Sequence, residues 1–211
     1  MTLRILIADD HSLFRRGVRD LLIDGLGDVT IGECANAHDL LNLVRQNKWD
    51  VAVLDIGMPG TTGAEALKQL KAENPKLPVI VLSMHPEDQY AIRMFKAGAS
   101  GYLTKASAPD ELICAIKTVV AGGHHISQSL GEQLVLGIKQ GNEKPPHELL
   151  SDREYEVLCL IGSGKTVGEI AEAMFLSVTT ISTYRARILE KMGMKTNAEL
   201  TRYALQHGLV Q

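Results

Sequence analysis

The 211 residues predict an α/β fold: a doubly wound (βα)5 parallel sheet followed by an all-α four-helix unit. Three observations carry this. Short β-branched apolar runs alternate with amphipathic stretches through the first 120 residues, no strand pattern follows, and the remainder holds a series of helix-capping signals.

The runs are Arg4–Ala8, Val29–Glu33, Val51–Leu54, Val79–Leu82 and the brief Gly101–Leu103. Strands spaced this way are parallel, because parallel pairs need crossover helices, and right-handed crossovers cover both faces of the sheet. The intervening stretches place Leu13, Gly17, Leu21 and Leu22, or Leu112, Ile116, Val119 and Val120, at helical spacing. Asn74-Pro75 with Pro78 stops the third helix, and Gly98 to Gly101 turns the chain into the fifth strand. Residues 1–121 form this unit.

Residues 122–146, from Gly-Gly-His-His to Lys-Pro-Pro, form a linker with a short helix expected over Ser129–Lys139. His124 and His125 are adjacent there and cannot converge on one metal from a regular element, so both are expected to be solvated. Residues 147–211 contain three [ST]-x-x-E capping boxes, at Ser151 with Glu154, Thr166 with Glu169 and Thr196 with Glu199, and a simple N-cap at Ser177. Four helix starts predict four packed helices.

Charged residues at 22% and apolar residues at 45% are ordinary for a globular chain and exclude a disordered one. No apolar run approaches the ~18 residues of a membrane helix, and Asp9 and Asp10 come too early for a signal peptide, so a soluble cytoplasmic protein is expected. Cys34, Cys114 and Cys159 give neither a disulfide framework nor paired ligand spacing and read as buried small hydrophobes. The net charge of −3 argues against non-specific coating of nucleic acid. Its distribution is uneven: Glu148–Glu172 is net −4 and Val178–Thr196 net +3.

In an open parallel sheet the polar crevice lies beyond the carboxyl ends of the strands. Asp9 and Asp10 end the first strand, Asp55 the third and Ser83 the fourth, and Lys105 follows the fifth, so all five converge there. Clustered carboxylates repel one another unless a hard divalent cation neutralises them, and an oxygen-only set suits Mg²⁺. Asp55 can then stay ionised as a nucleophile toward a phosphoryl group, with the Lys105 ammonium and Ser83 hydroxyl meeting the transferred oxygens.

Asp9-Asp10, Asp55-Ile-Gly-Met-Pro-Gly60, Ser83 and Gly101-Tyr-Leu-Thr-Lys105 together resemble the receiver domain of two-component response regulators. The resemblance implies that Asp55 is the phosphoacceptor, that Asp10, Asp55 and the Gly57 carbonyl hold Mg²⁺ with Asp9 acting through water, and that Ser83 and Tyr102 are a switch pair. Ala106 stands where many receivers have proline.

In the C-terminal unit, Val178, Ile181, Ile188, Leu189 and Met192 share one side of a helix, leaving Thr179, Ser182, Thr183, Ala186, Arg187 and Glu190 on the other. A shorter helix with Val167, Ile170, Ala171 and Met174 precedes it across the turn Phe175-Leu-Ser177. Two helices with a tight turn, over about residues 166–185, form a helix-turn-helix whose small outward side chains admit it to the major groove. Leu150-Ser-Asp-Arg-Glu154, Glu169-Ile-Ala171, Phe175-Leu-Ser177 and Thr180-Ile-Ser-Thr-Tyr-Arg185 resemble the LuxR-type DNA-binding domain, and with the receiver the chain is similar to the NarL/FixJ class of response regulators. Thr179, Thr180, Ser182, Thr183, Arg185, Arg187 and Lys191 are the expected DNA contacts; many relatives carry lysine in place of Ser182 and a basic residue in place of Ala186. Gly162-Ser-Gly-Lys-Thr166 mimics the end of a phosphate-binding P-loop, but Cys159 replaces its first glycine and a helix, not a strand, precedes it.

The function expected is a DNA-binding transcriptional regulator phosphorylated on Asp55 by a sensor histidine kinase, dimerising and reading an inverted repeat of double-stranded DNA. It is not expected to be a turnover enzyme or to meet a membrane. Two rivals are a phosphatase or phosphotransferase using Asp55 as nucleophile, and a LuxR-type regulator gated by a small ligand. The first lacks a second acid or base near Asp55; the second prefers an apolar pocket.

Overall fold

In a computed structural model, the residues described are 2–58, 63–84, 87–127, 130–131 and 145–210. The chain divides into two compact units, Met1–Leu134 and Val135–Gln211. The helix expected over Ser129–Lys139 lies outside the described residues apart from positions 130–131.

The first unit alternates β1 (Leu3–Ala8), α1 (Ser12–Leu26), β2 (Val29–Cys34), α2 (Ala37–Gln46), β3 (Val51–Asp55), α3 (Gly63–Glu73), β4 (Val79–Ser83), α4 (Glu87–Lys96), β5 (Gly101–Thr104) and α5 (Ala108–Val120). All pairings are parallel in the order β2-β1-β3-β4-β5. The strands fall where the β-branched runs place them. β3 and β4, central and covered on both faces, are buried throughout, whereas the edge strand β2 is mostly half-buried. Alternation sends Ile5, Ile7, Val51, Val53, Ile80 and Leu82 to the face covered by Val18 and Leu22 of α1 and by Leu112, Ile116 and Val119 of α5. Leu6, Ala52, Leu54 and Val81, equally buried, point the other way.

Two details of the sequence pattern shift. Leu13 is 84% exposed, and the buried stripe of α1 runs instead through Val18 and Leu22, flanked by Phe14 and Leu21. The stripe begins one residue later, at the partly buried Phe14. Cys34 and Cys159 are buried as expected, burial pushing the Cys34 thiol up to about 12, but Cys114 on the outer side of α5 is exposed.

Gly63 opens α3 hard against the end of β3: a Cβ there would stand 2.2 Å from both Cα and Cβ of Ile56. Because one of those atoms is backbone, no rotamer change relieves the clash. Gly63→Ala is expected to destabilise the first unit by about 3 kcal/mol, the upper end of ordinary overpacking, read as a lowered first transition in calorimetry of the full chain. An unchanged transition would show that α3 can lift off freely.

In the second unit a 3-10 turn (Pro146–Leu149) precedes α6 (Asp152–Gly162), α7 (Val167–Ala173), α8 (Val178–Met192) and α9 (Asn197–Gln206). Ser151 with Glu154 and Thr166 with Glu169 form complete capping boxes, and Ser177 accepts the Thr180 N–H at 3.0 Å. The third box is half made. Thr196 accepts the Glu199 N–H at 3.2 Å, but the Glu199 carboxylate takes the N–H of Lys195, one residue before the cap, at 2.7 Å. No helix among the described residues is long and apolar enough to cross a membrane.

Glu154 also bonds Lys191 Nζ at 2.6 Å, tying α6 to α8. Burial works to raise this carboxyl, but Lys191 and the Ser151 N–H outweigh it and hold it below its ordinary 4.5. A depressed folded value stabilises above the unfolded pKa and is lost as pH falls through the folded one. Glu154→Gln is therefore expected to lower the second unit's stability by about 1–3 kcal/mol at neutral pH. The difference from the native chain should close as the pH drops below 4.5, measured by urea unfolding at a series of pH values; a pH-independent difference would mean that packing alone is lost.

Candidate functional site

Parallel strands place their carboxyl ends on one rim, and the crevice there collects the expected side chains. Asp55, at the end of β3, is buried; its Oδ1 accepts the Gly57 N–H at 2.8 Å and its Oδ2 the Lys105 ammonium at 2.7 Å. Lys105 Nζ also lies 2.7 Å from Asp9 Oδ2, and Asp9 Oδ1 accepts the His11 N–H at 2.7 Å. The Lys105 N–H donates to the Ser83 carbonyl at 2.7 Å, so β4 fixes where the lysine enters. Ser83 is fully buried, and the Tyr102 ring is enclosed on β5. At Gly57 a Cβ would sit 3.3 Å from Asp55 Oδ1, close enough to press on the carboxylate.

Three carboxylates against one ammonium leave the pocket electronegative. Burial pushes the Asp55 carboxyl above its ordinary value against the opposing pull of Lys105 and the Gly57 N–H. Burial would lower Lys105, but its bonds to Asp55 and Asp9 prevail and its pKa is raised. Asp10 Oδ1 is buried with no hydrogen-bond partner. Ligand atoms of Asp9, Asp10, His11 and Asp55 all lie within 4.8 Å of one another, and an electronegative cluster rich in carboxylate oxygens fits a divalent cation.

Sequence reasoning passed over His11. Its Nδ1 lies 3.0 Å from Asp10 Oδ1, 3.4 Å from Asp9 Oδ1 and 3.8 Å from Asp55 Oδ2. Its place directly after Asp9-Asp10 was the available signal. His125 also departs from expectation: its N–H donates to Ser100 at 2.9 Å, it bridges Gly101 in parallel, and its ring stands 3.4 Å from Glu111. It is a half-buried extension of the β5 edge, not a solvated loop residue.

In the second unit α7, the turn and α8 form the expected helix-turn-helix. Phe175 turns the chain at φ +54, and the Leu176 N–H reaches the Ala171 carbonyl at 2.9 Å. Ile181, Ile188 and Met192 are buried, while Thr179, Ser182, Thr183 and Arg187 face outward. Val178, expected on the buried side, is exposed because it is the first residue of the helix, ahead of its packed stripe. Three of the expected contacts are engaged within the unit: Thr180 with Ser177 at 2.8 Å, Arg185 with Asn197, and Lys191 with Glu154. The Gly162–Thr166 segment follows helix α6, and the Thr166 hydroxyl is committed to Glu169, so nothing there cradles a phosphate.

A carboxylate pocket at the rim of a parallel sheet, joined in one chain to a helix-turn-helix, defines the class of signal-responsive DNA-binding regulators. Comparison with known proteins specifies it further. Residues 5–117 match the response regulator receiver domain, and residues 148–204 match the bacterial regulatory proteins of the luxR family. The chain is 35% identical to the response regulator UvrY of Escherichia coli K12 over 98% of this chain and 95% of that one. It is 36% identical to the response regulator GacA of Pseudomonas aeruginosa over 99% and 98%. Among solved structures it is similar to the RcsB response regulator of Salmonella typhimurium (TM-score 0.66, 26% identity, 98% of each chain) and to an RcsB–DNA complex (TM-score 0.60, 28% identity, 96% and 98%). The chain belongs to the NarL/FixJ class of two-component response regulators, with a receiver domain and a LuxR-type helix-turn-helix, and is a phosphorylation-dependent DNA-binding transcriptional regulator.

Proposed function

We propose that Asp55 accepts a phosphoryl group from the phosphohistidine of a sensor kinase. An Asp55 carboxylate oxygen bonds to phosphorus as the P–N bond breaks, and water later cleaves the acyl phosphate. The single observation behind this is the Asp55 carboxylate, buried at the end of β3 and hydrogen-bonded to the Gly57 N–H at 2.8 Å and to the Lys105 ammonium at 2.7 Å. Lys105 is placed to meet a transferred oxygen once it yields Asp55, and Ser83, at the end of the adjacent strand, to donate to another. Asp10, Asp55 and the Gly57 carbonyl would hold Mg²⁺, with Asp9 acting through water; the ion supplies charge neutralisation for the incoming phosphoryl oxygens.

Ser83 and Tyr102 then form the switch pair. Moving the active state from 1:99 to 99:1 requires phosphorylation to favour it by about 5.5 kcal/mol. Residues 1–121 act as receiver, 122–146 as linker, and 147–211 as the DNA-binding domain. The chain works as a homodimer on an inverted repeat, in the cytoplasm where the chromosome lies. RcsB structures include a DNA complex and two dimers bound to two DNAs, and the same partners are proposed here. Thr179, Ser182, Thr183 and Arg187 are the outward contacts. Thr180 and Arg185 support the helix and contact DNA only at its margin, and Lys191 does so only if it leaves Glu154. A receiver joined in one chain to a LuxR-type helix-turn-helix supports a regulator rather than a turnover enzyme.

The test is acetyl phosphate with Mg²⁺, followed by intact mass and by DNA titration at stated salt. One added phosphoryl group with altered DNA affinity is expected; sustained turnover of a phosphoester would overturn the reading.

A further inference from the structure

The Lys105 ammonium has a third neighbour besides its two carboxylates. Its Nζ stands over the face of the Phe14 ring, 4.6 Å from the ring centroid, while Asp9 Oδ2 and Asp55 Oδ2 each lie 2.7 Å away. Phe14 belongs to the first turn of α1, at the N-terminal end of the stripe that continues through Val18 and Leu22, and packs half-buried against the core. The stripe asks only for an apolar side chain there. An aliphatic residue would serve the core as well, but an aromatic one also turns the negative face of a π system toward the ammonium.

The ring lies where the chemistry leaves the lysine least supported. In the resting pocket two carboxylates hold the ammonium, and the lysine side chain is 7% exposed. Phosphoryl transfer requires Lys105 to release Asp55 and turn to a phosphoryl oxygen. A hydrogen bond fixes a direction, whereas attraction to a ring face is broad, so the ammonium can rotate from one acceptor to the next with the ring still beneath it. Without the ring, one side of a compact, strongly hydrated cation on a flexible stem is left bare, and water that settles there has to be shed before the phosphoryl group is met. A contact equally strong before and during transfer would not change the rate. The share carried by this one grows as the Asp55 carboxylate is released.

We propose that Phe14 is a positioning residue for phosphorylation, holding the Lys105 ammonium by cation–π attraction while it passes from Asp55 to the incoming phosphoryl group. The inference rests on the reading of Asp55 as phosphoacceptor. It adds a residue of α1, outside the strand ends, that sets how fast Asp55 is charged and acts through Lys105 alone.

The experiment compares the full chain with Phe14→Leu, which keeps the apolar stripe and removes the π face, and with Phe14→Tyr, which restores that face. Uptake of phosphate from acetyl phosphate with Mg²⁺, followed by intact mass, should slow about three- to tenfold in Phe14→Leu, the rate equivalent of a partly desolvated cation–π contact. It should recover in Phe14→Tyr. Nuclear magnetic resonance of lysine-labelled protein gives a second readout: the ring should shift the Lys105 ε-methylene protons upfield in the native chain and in Phe14→Tyr, but not in Phe14→Leu. Uptake at the native rate in Phe14→Leu would overturn the proposal, and so would Lys105 protons unshifted in the native chain. A Phe14→Tyr variant that regains the shift but not the rate would do the same. Slow uptake in both variants, with melting temperatures lowered alike, would reduce Phe14 to core packing and also overturn it. A native chain that takes up no phosphate would overturn the phosphoacceptor reading, and the positioning role with it.

Discussion

Asp55→Asn is expected to reduce phosphate incorporation from acetyl phosphate to background and to leave DNA binding indifferent to the phosphodonor. The amide has no anionic oxygen to attack phosphorus, but it keeps the size of aspartate and can still accept the Gly57 N–H that Asp55 accepts at 2.8 Å. Lys105 retains Asp9 at 2.7 Å, so its ammonium stays paired. The variant should fold, with the pocket one negative charge poorer and weaker for divalent cations. Lys105→Met tests the same pocket from the other side. It strips the cation from two buried carboxylates, and leaving buried charges uncompensated costs about 3–5 kcal/mol. Thermal unfolding should therefore separate the two: Asp55→Asn close to the native chain, Lys105→Met much lower, with both unphosphorylated. A label that survives in Asp55→Asn would move the acceptor to Asp9 or Asp10.

How much of this could be read from the chain follows from what each feature depends on. The strands are local: β-branched runs mark them, and parallel geometry then places Asp9, Asp10, Asp55, Ser83 and Lys105 on one rim without knowledge of any distance. Caps at Ser151, Thr166 and Ser177 are equally local. Features set by long-range partners were not legible. Lys191 reads as a phosphate contact until its carboxylate, 37 residues earlier, is known. His125 reads as a loop residue until the β5 edge strand lacks a neighbour and accepts it. His11 escapes because its approach to Asp55 depends on how two strand ends meet. The third capping box fails by one residue, Glu199 taking the Lys195 N–H in place of that of Thr196, a choice the motif does not encode.

The DNA-facing surface gives the other large expected effect. Ser182 is exposed on α8 between Thr179 and Arg187, on the side opposite Ile181 and Ile188. Ser182→Glu puts a carboxylate on the face proposed to meet the groove, at no cost in packing because the side chain is exposed. Like charges brought together at an interface cost several kcal/mol, and at about 1.4 kcal/mol per tenfold a loss of about 100-fold in DNA affinity is expected, with thermal stability unchanged. Arg187→Ala should act differently, weakening binding to all sequences and lowering the salt slope by about one unit, as removal of a phosphate contact does. Lys191→Ala should leave that slope nearly intact and lower stability instead, because its ammonium is spoken for by Glu154 at 2.6 Å. Fluorescence anisotropy at several salt concentrations beside melting curves distinguishes the three. If Ser182→Glu bound as tightly as the native chain, α8 would not be the element that enters the groove; if Lys191→Ala changed the slope as Arg187→Ala does, the Glu154 bond would be one that DNA displaces.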